Sequence, residues 1–238
     1  MREEITFHRI AYIRTDFPDK FGIPRQSGLA KVRGKIIFEE KYRSKEAVRG
    51  LDEYTHLWLL WEFSDSAADG WSPTVRPPRL GGNERVGVFA TRSPYRPNPI
   101  GLSCVRLDAV EINGKLGPVL SVTGADLMDG TPIYDIKPYL PYVDSHPEAE
   151  GGFSDKVKEY RLPVIVPDEC RELFDSEQMK VLEEVLSQDP RPAYHNDPER
   201  IYGMTYAGKE VKFRAEGGKI VVVRCETLKS DRYSSADS

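Results

Sequence analysis

Between residues 76 and 106 the chain carries Arg76, Arg79, Arg85, Arg92, Arg96 and Arg106, with no lysine and a single acid, Glu84. Arginine used alone suits planar recognition of carboxylate or phosphate, because the guanidinium presents paired N–H donors in a rigid fork. The same stretch holds Pro77, Pro78, Pro94, Pro97, Pro99, Gly81 and Gly82. Proline fixes φ, so such loops can hold the arginines in set positions and reduce the entropy lost on binding. A solvated basic face cut by proline turns is the competing description. The whole chain of 238 residues has a formal net charge of −4, so a polyanion site must be a local patch.

Residues 126–142, DLMDGTPIYDIKPYLPY, form the second unusual segment. Asp126, Asp129, Asp135 and Lys137 crowd beside Tyr134, Tyr139 and Tyr142, and Asp129-Gly130 signals a turn. A nucleoside-type ligand wants a carboxylate for its ribose, backbone groups for the base edge and an apolar wall. Equally, Asp129 can form an Asx turn while the tyrosines cover a barrel end.

Other chemistry finds little support. Neither the Walker spacing nor GxGxxG occurs, and there is no GxSxG elbow. His8, His56, His146 and His195 are scattered without metal-ligand spacing, so no metal is expected. His56, beside Leu57 and Trp58, reads as a core histidine, and Cys104 as a small core residue. Three widely spaced cysteines without a CxxC pair argue against a disulfide framework. The N-terminus lacks signal-peptide character, and no apolar run approaches the roughly 20 residues that span a bilayer. A cytoplasmic protein without membrane contact is expected.

The elements that must position these groups are mostly strands. Residues 5–14 read as an opening strand, and 55–63 (THLWLLWEF) as a strand buried on both faces. Between them Ser44 can cap a short helical turn through Val48, closed by Gly50. Residues 101–112 alternate, with Leu102, Cys104 and Arg106 on one face and Val105, Leu107 and Ala109 on the other. Asn113-Gly114 then predicts a type I′ hairpin returning through Pro118–Val122. A boundary falls in the acidic, glycine-rich residues 145–154. Beyond it come the strand LPVIV, one long helix over 168–187 capped by Asp168, and a closing hairpin of VKFR and KIVVVRC turned at Glu216-Gly217-Gly218. The expectation is a mainly β protein: an N-terminal β-barrel domain over 1–155, a small C-terminal α+β domain over 156–229, and a polar tail over 230–238.

Five runs carry a family resemblance: PRQSGL (24–29), PTVRPPRLGGN (73–83), GVFATRSPYRPNPIGLS (87–103), DGTPIYDIKPYLPY (129–142) and QDPRPAY (188–194). In these the chain resembles the TrmO family, also called TsaA-like or YaeB-like: tRNA methyltransferases acting on N6 of N6-threonylcarbamoyladenosine at position 37. The resemblance implies a barrel that binds S-adenosyl-L-methionine, which accounts for the missing glycine fingerprint. It also implies a C-terminal domain that helps engage the tRNA anticodon loop, and a homodimer. By resemblance the cofactor touches Arg25, Gln26, Arg92, Leu102 and the loop Asp126, Leu127, Met128 and Asp129, with Ser64 and Asp65 also lining the pocket. Asp129 is expected to be the most sensitive acid.

Methyl transfer to such a nitrogen is helped by removal of its proton, which calls for a general base. Asp129, Asp135 and Tyr139 are the candidates. The substrate's threonyl carboxylate suits Arg92 and Arg96, while Arg76, Arg79, Arg191 and Lys137 suit phosphates and Tyr194 suits stacking on a loop base. A non-catalytic tRNA-binding accessory protein is the alternative function.

Overall fold

The computed structural model describes residues 4–64, 70–77, 84–191, 197 and 199–229. In its N-terminal part the strands are β1 (Ala11–Thr15), β2 (Arg33–Phe38), β3 (His56–Glu62), β4 (Thr74–Val75), β5 (Val86–Gly87), β6 (Ile100–Asn113), β7 (Gly117–Thr123) and β8 (Pro132–Pro138). Six of them close a barrel in the order β1-β2-β7-β6-β3-β8, while β4 and β5 form a separate hairpin. A closed barrel leaves no unpaired strand edge and sends alternate residues inward.

β3 shows that alternation. Leu57, Leu59 and Trp61 are buried, whereas Trp58 and Leu60 are half-buried and His56 is exposed. The expectation of burial on both faces is therefore corrected. The outer face is covered only in part, by Tyr139 against the Trp58 ring and by the one-turn helix α1 (Pro141–Asp144), whose Asp144 accepts from the Trp58 indole at 3.1 Å. His56 and Cys104 lie on outward-facing positions of β3 and β6 and are not core residues.

Local departures from the sequence reading have local causes. β1 begins at Ala11, not at residue 5. Asn113 pairs with Gly117 across three loop residues, and its side chain accepts from the amides of Lys115 and Leu116, so the hairpin is an Asx-stabilised turn and not the two-residue type I′. Lys45–Val48 is a 3₁₀ turn that Ser44 precedes without a side-chain capping bond.

The C-terminal part contains β9 (Val164–Ile165), α2 (Asp168–Arg171), α3 (Ser176–Ser187), β10 (Tyr202–Tyr206), β11 (Lys209–Glu216) and β12 (Lys219–Thr227). Its sheet runs β10-β11-β12-β9. The single helix expected over 168–187 is two helices, because Asp175 and Gln178 form a reciprocal capping box that starts α3 afresh. Asp168 opens α2 without acting as its cap. β10 was not foreseen; Ala207 and Gly208, both at positive φ, turn it tightly into β11.

The two parts share one core. Phe17 packs on Tyr206 at 4.8 Å between ring centroids, and Phe21 stacks on Tyr202 and Phe213. The Ala207 amide donates to Asp16, and Gln188 Nε2 to the Leu29 carbonyl. Residues 16–31 are thereby clamped between barrel and sheet, which fixes the loop that carries Arg25 and Gln26.

Candidate active site

A cavity of about 490 Å³ opens where the end of β3 and the start of β6 meet the 20–26 loop, the 91–96 loop and the turn after β7. Its floor depends on one glycine. Trp61 on β3 is paired with Gly101 on β6, and a Cβ at residue 101 would lie inside the indole's contact distance. Gly101→Ala should therefore displace Trp61 and cost about 1–3 kcal/mol, read as a lower urea midpoint; an unchanged midpoint would contradict this packing.

The Trp61 indole N–H donates to Ser103 Oγ at 2.9 Å, and Ser103 Oγ donates to Asp126 Oδ1 at 2.5 Å. Asp126 ends this chain on the cavity wall. Burial pushes its carboxyl up to about 6; the Ser103 hydroxyl, the backbone amides of Asp126 and Ser27, and the Arg92 charge all work in the opposite direction. A carboxylate that titrates near neutrality inside a cavity is suited to proton transfer or to facing a cation.

Opposite charges line other parts of the wall. Arg92 donates to Gln26 Oε1 at 2.5 Å, and Arg25 donates to the Asp189 carbonyl at 2.7 Å. The 24–29 loop is strapped to the end of β7 by the Gly28 amide on the Gly124 carbonyl. Both glycines have positive φ, so side chains are disfavoured at this crossing. Glu62 accepts from the Tyr134 hydroxyl at 2.5 Å; burial and Glu62 push that phenol up to about 12.

Of the sequence-selected residues, the cavity brings together Arg25, Gln26, Ser64, Arg92, Arg96, Leu102, Asp126 and Met128. Arg96 is held inside its own loop, donating to the Val88 and Thr91 carbonyls. Leu127 is buried in the core, with its carbonyl accepting from Thr15 Oγ1. Asp129 is not on the cavity wall: its carboxylate accepts from Arg14 and from the Thr15 amide, both at 3.0 Å, tying the turn to β1. Asp135 pairs with Lys137 at 2.8 Å, and Tyr139 packs on His56 and Trp58; none of the three lines the cavity. Arg76 lines a second, adjoining cavity. Arg191 is engaged with both carboxylate oxygens of Asp189. Asp65, Arg79 and Tyr194 lie outside the described residues.

Sequence reasoning missed Trp61, Ser103 and Glu62 as wall and network residues. Ser103 closes the 87–103 run, and its alternation with Leu102 marks it as inward-facing. The pairing of Trp61 with Gly101 is a register fact between strands far apart in the chain and has no local signal. Among the described residues no group of three or more His, Cys, Asp or Glu side chains could hold a metal ion. No helix among them is long and apolar enough to cross a membrane.

A family model described as the tRNA-methyltransferase O N-terminal domain matches residues 12–145, and the TrmO C-terminal domain matches residues 159–228. A tRNA (adenine(37)-N6)-methyltransferase of Escherichia coli (strain K12) is 44% identical over 208 residues, 84% of this chain and 87% of that protein. A Pseudomonas aeruginosa relative with S-adenosylmethionine-dependent methyltransferase in its name is 42% identical over 203 residues, 82% of this chain and 86% of its own. A crystal structure of TrmO superposes at a TM-score of 0.76 and 33% identity, covering 93% of this chain and 99% of that one. With both halves matched in order and a solved relative overlapping nearly the whole length, the chain belongs to the tRNA-methyltransferase O family.

Proposed function

We propose that this protein methylates N6 of adenine 37 in the tRNA anticodon loop, with N6-threonylcarbamoyladenosine as the acceptor and S-adenosyl-L-methionine as the donor. The observation that carries this reading is the cavity's lining, which gathers Asp126 and Glu62 with Arg25 and Arg92 and with the apolar side chains of Trp61, Phe63 and Met128. That donor set fits the cofactor. Arg25 suits the cofactor's amino-acid carboxylate, Glu62 suits ribose hydroxyls, and the apolar side chains suit a purine, which leaves Arg92 and Asp126 for the acceptor. The volume also lies within the range of small-ligand sites, roughly 300–1,000 Å³.

When bound, S-adenosyl-L-methionine supplies an electrophilic methyl group on a sulfonium. The protein's own task is then to hold the acceptor and relieve it of its proton. Asp126 is the carboxylate we assign to take the N6 proton, since it is mostly ionised at neutral pH yet still basic. Ser103, itself held by Trp61, fixes the carboxylate by donating to Oδ1. With Arg96 pinned by loop carbonyls, Arg92 is the arginine assigned to the acceptor's threonyl carboxylate.

The direct test incubates the protein with the cofactor and tRNA that carries threonylcarbamoyladenosine, then identifies the nucleosides by mass spectrometry. One added methyl on the modified adenosine is expected. Absence of methylated product, together with no thermal stabilisation by excess cofactor, would favour the accessory-protein reading; a native-state ligand at 100 times its Kd stabilises by about 2.7 kcal/mol.

A further inference from the structure

Beside the first cavity lies a second of about 860 Å³. The two share Arg25, Gln26, Thr91, Arg92 and Pro94, so whatever fills one abuts whatever fills the other. Six cations line the second cavity, Arg25, Arg76, Arg85, Arg92, Lys158 and Arg161, and no acid does so among the described residues. In a chain of net charge −4 this is a strong local concentration of positive charge. Like charges gathered on one concave wall repel, and a polyanion relieves that repulsion.

The cations come from separate parts of the fold. Arg76 and Arg85 belong to the β4–β5 hairpin, where Arg85 is braced by a 3.0 Å bond to Thr74 Oγ1. Lys158 and Arg161 belong to the segment that joins the barrel to β9, and Arg161 is braced on the Tyr160 carbonyl at 2.8 Å. Tyr95 and Phe153 add aromatic rings to the same wall. Cations mixed with aromatic rings are what an unpaired nucleotide needs: phosphate contacts plus a surface on which its base stacks. A concave site also discriminates against duplex, whose bases are already stacked and paired.

We propose that the second cavity seats a nucleotide flanking the target adenine, with Arg85, Lys158 and Arg161 holding its phosphates. This rests on the methyl-transfer reading, for which it supplies the grip on single-stranded RNA. Occupancy of the cavity also draws on both structural parts at once, because the joining segment contributes two of its cations.

The test uses the full-length protein and anticodon stem-loop RNA, with and without the threonylcarbamoyl group. Fluorescence anisotropy follows binding across a salt series for wild type, Arg85→Ala, the Lys158→Ala/Arg161→Ala pair, and Lys115→Ala in the β6–β7 turn as a charge control. The cavity variants should bind both RNAs at least about tenfold more weakly. Their slope of log affinity against log salt should become shallower by about 0.7 for each single-strand phosphate no longer neutralised. Cofactor affinity should be unchanged, and Lys115→Ala should match wild type. Unchanged RNA affinity and slope in the cavity variants would overturn the proposal, as would a loss confined to the modified loop, which would assign the cations to its carboxylate. A wild type that methylates tRNA while the cavity variants bind normally defeats this inference alone. A wild type that fails to methylate while the cavity variants lose RNA binding defeats the enzymatic reading and leaves the nucleotide site standing.

Discussion

Replacing Asp126 with asparagine is expected to lower turnover by roughly 10²–10⁴-fold, the usual contribution of a positioned proton acceptor. The same change should make the ligand-free protein more stable at neutral pH. Folding raises this carboxyl from its ordinary value of 3.8 to about 6. Between those values the folded state holds the proton more tightly than the unfolded chain does. Stability from this group is therefore present at low pH, falls as pH rises from about 4 to about 6, and stays level above. Asparagine keeps an oxygen for Ser103 and removes the buried charge, so at pH 8 the variant should gain up to about 2 kcal/mol, allowing for partial exposure. Below pH 4 the two proteins should melt alike. A variant that is inactive and destabilised at pH 8 would mean that Asp126 holds the fold together, and would remove it from the chemistry.

Arg92→Ala carries the second large effect. This guanidinium lies on the walls of both cavities and is braced by Gln26. Charge-assisted bonds to a ligand are worth about 2 kcal/mol, so kcat/KM should fall roughly 30-fold for tRNA. Because the side chain is exposed in the ligand-free protein, stability should move by no more than about 0.5 kcal/mol. RNA affinity should drop as well, and that drop should be smaller for tRNA lacking the threonylcarbamoyl group, whose carboxylate we assign to this arginine. Equal drops on both tRNAs would leave Arg92 a phosphate or cofactor contact only.

Part of the barrel was legible, β6 through its period-2 alternation and β3 as an apolar run, although the run of apolar residues in β3 concealed which of them face inward. The loops of the site were legible mainly through the family resemblance: Arg25, Gln26, Arg92, Leu102 and Met128 all reach one cavity. Which acid of the 126–135 segment does so was not legible. Gly124 and Gly130, at φ of +91° and +79°, break the alternation that would otherwise say which side chains face inward. The Asp-Gly turn drew attention to Asp129, yet that carboxylate is bonded to Arg14 and the Thr15 amide. Asp126 sits three residues earlier, and only the folded arrangement reveals its contact with Ser103. The break in the 168–187 helix, by contrast, was present locally, as Asp175 followed by Gln178 at capping-box spacing. The second cavity could not be foreseen, since it joins the β4–β5 hairpin to the segment that carries Lys158 and Arg161.

The pH dependence of kcat/KM for tRNA methylation, measured on wild type and on Asp126→Asn, bears most directly on the role given to this carboxyl. In the free enzyme the acid limb should fall with an inflection near pH 6, as Asp126 takes up its proton and can no longer accept one from N6. The asparagine variant should show low, flat residual activity across the same range. An acid limb near pH 6 that survives in Asp126→Asn would contradict the account, because the titrating base would then be another residue.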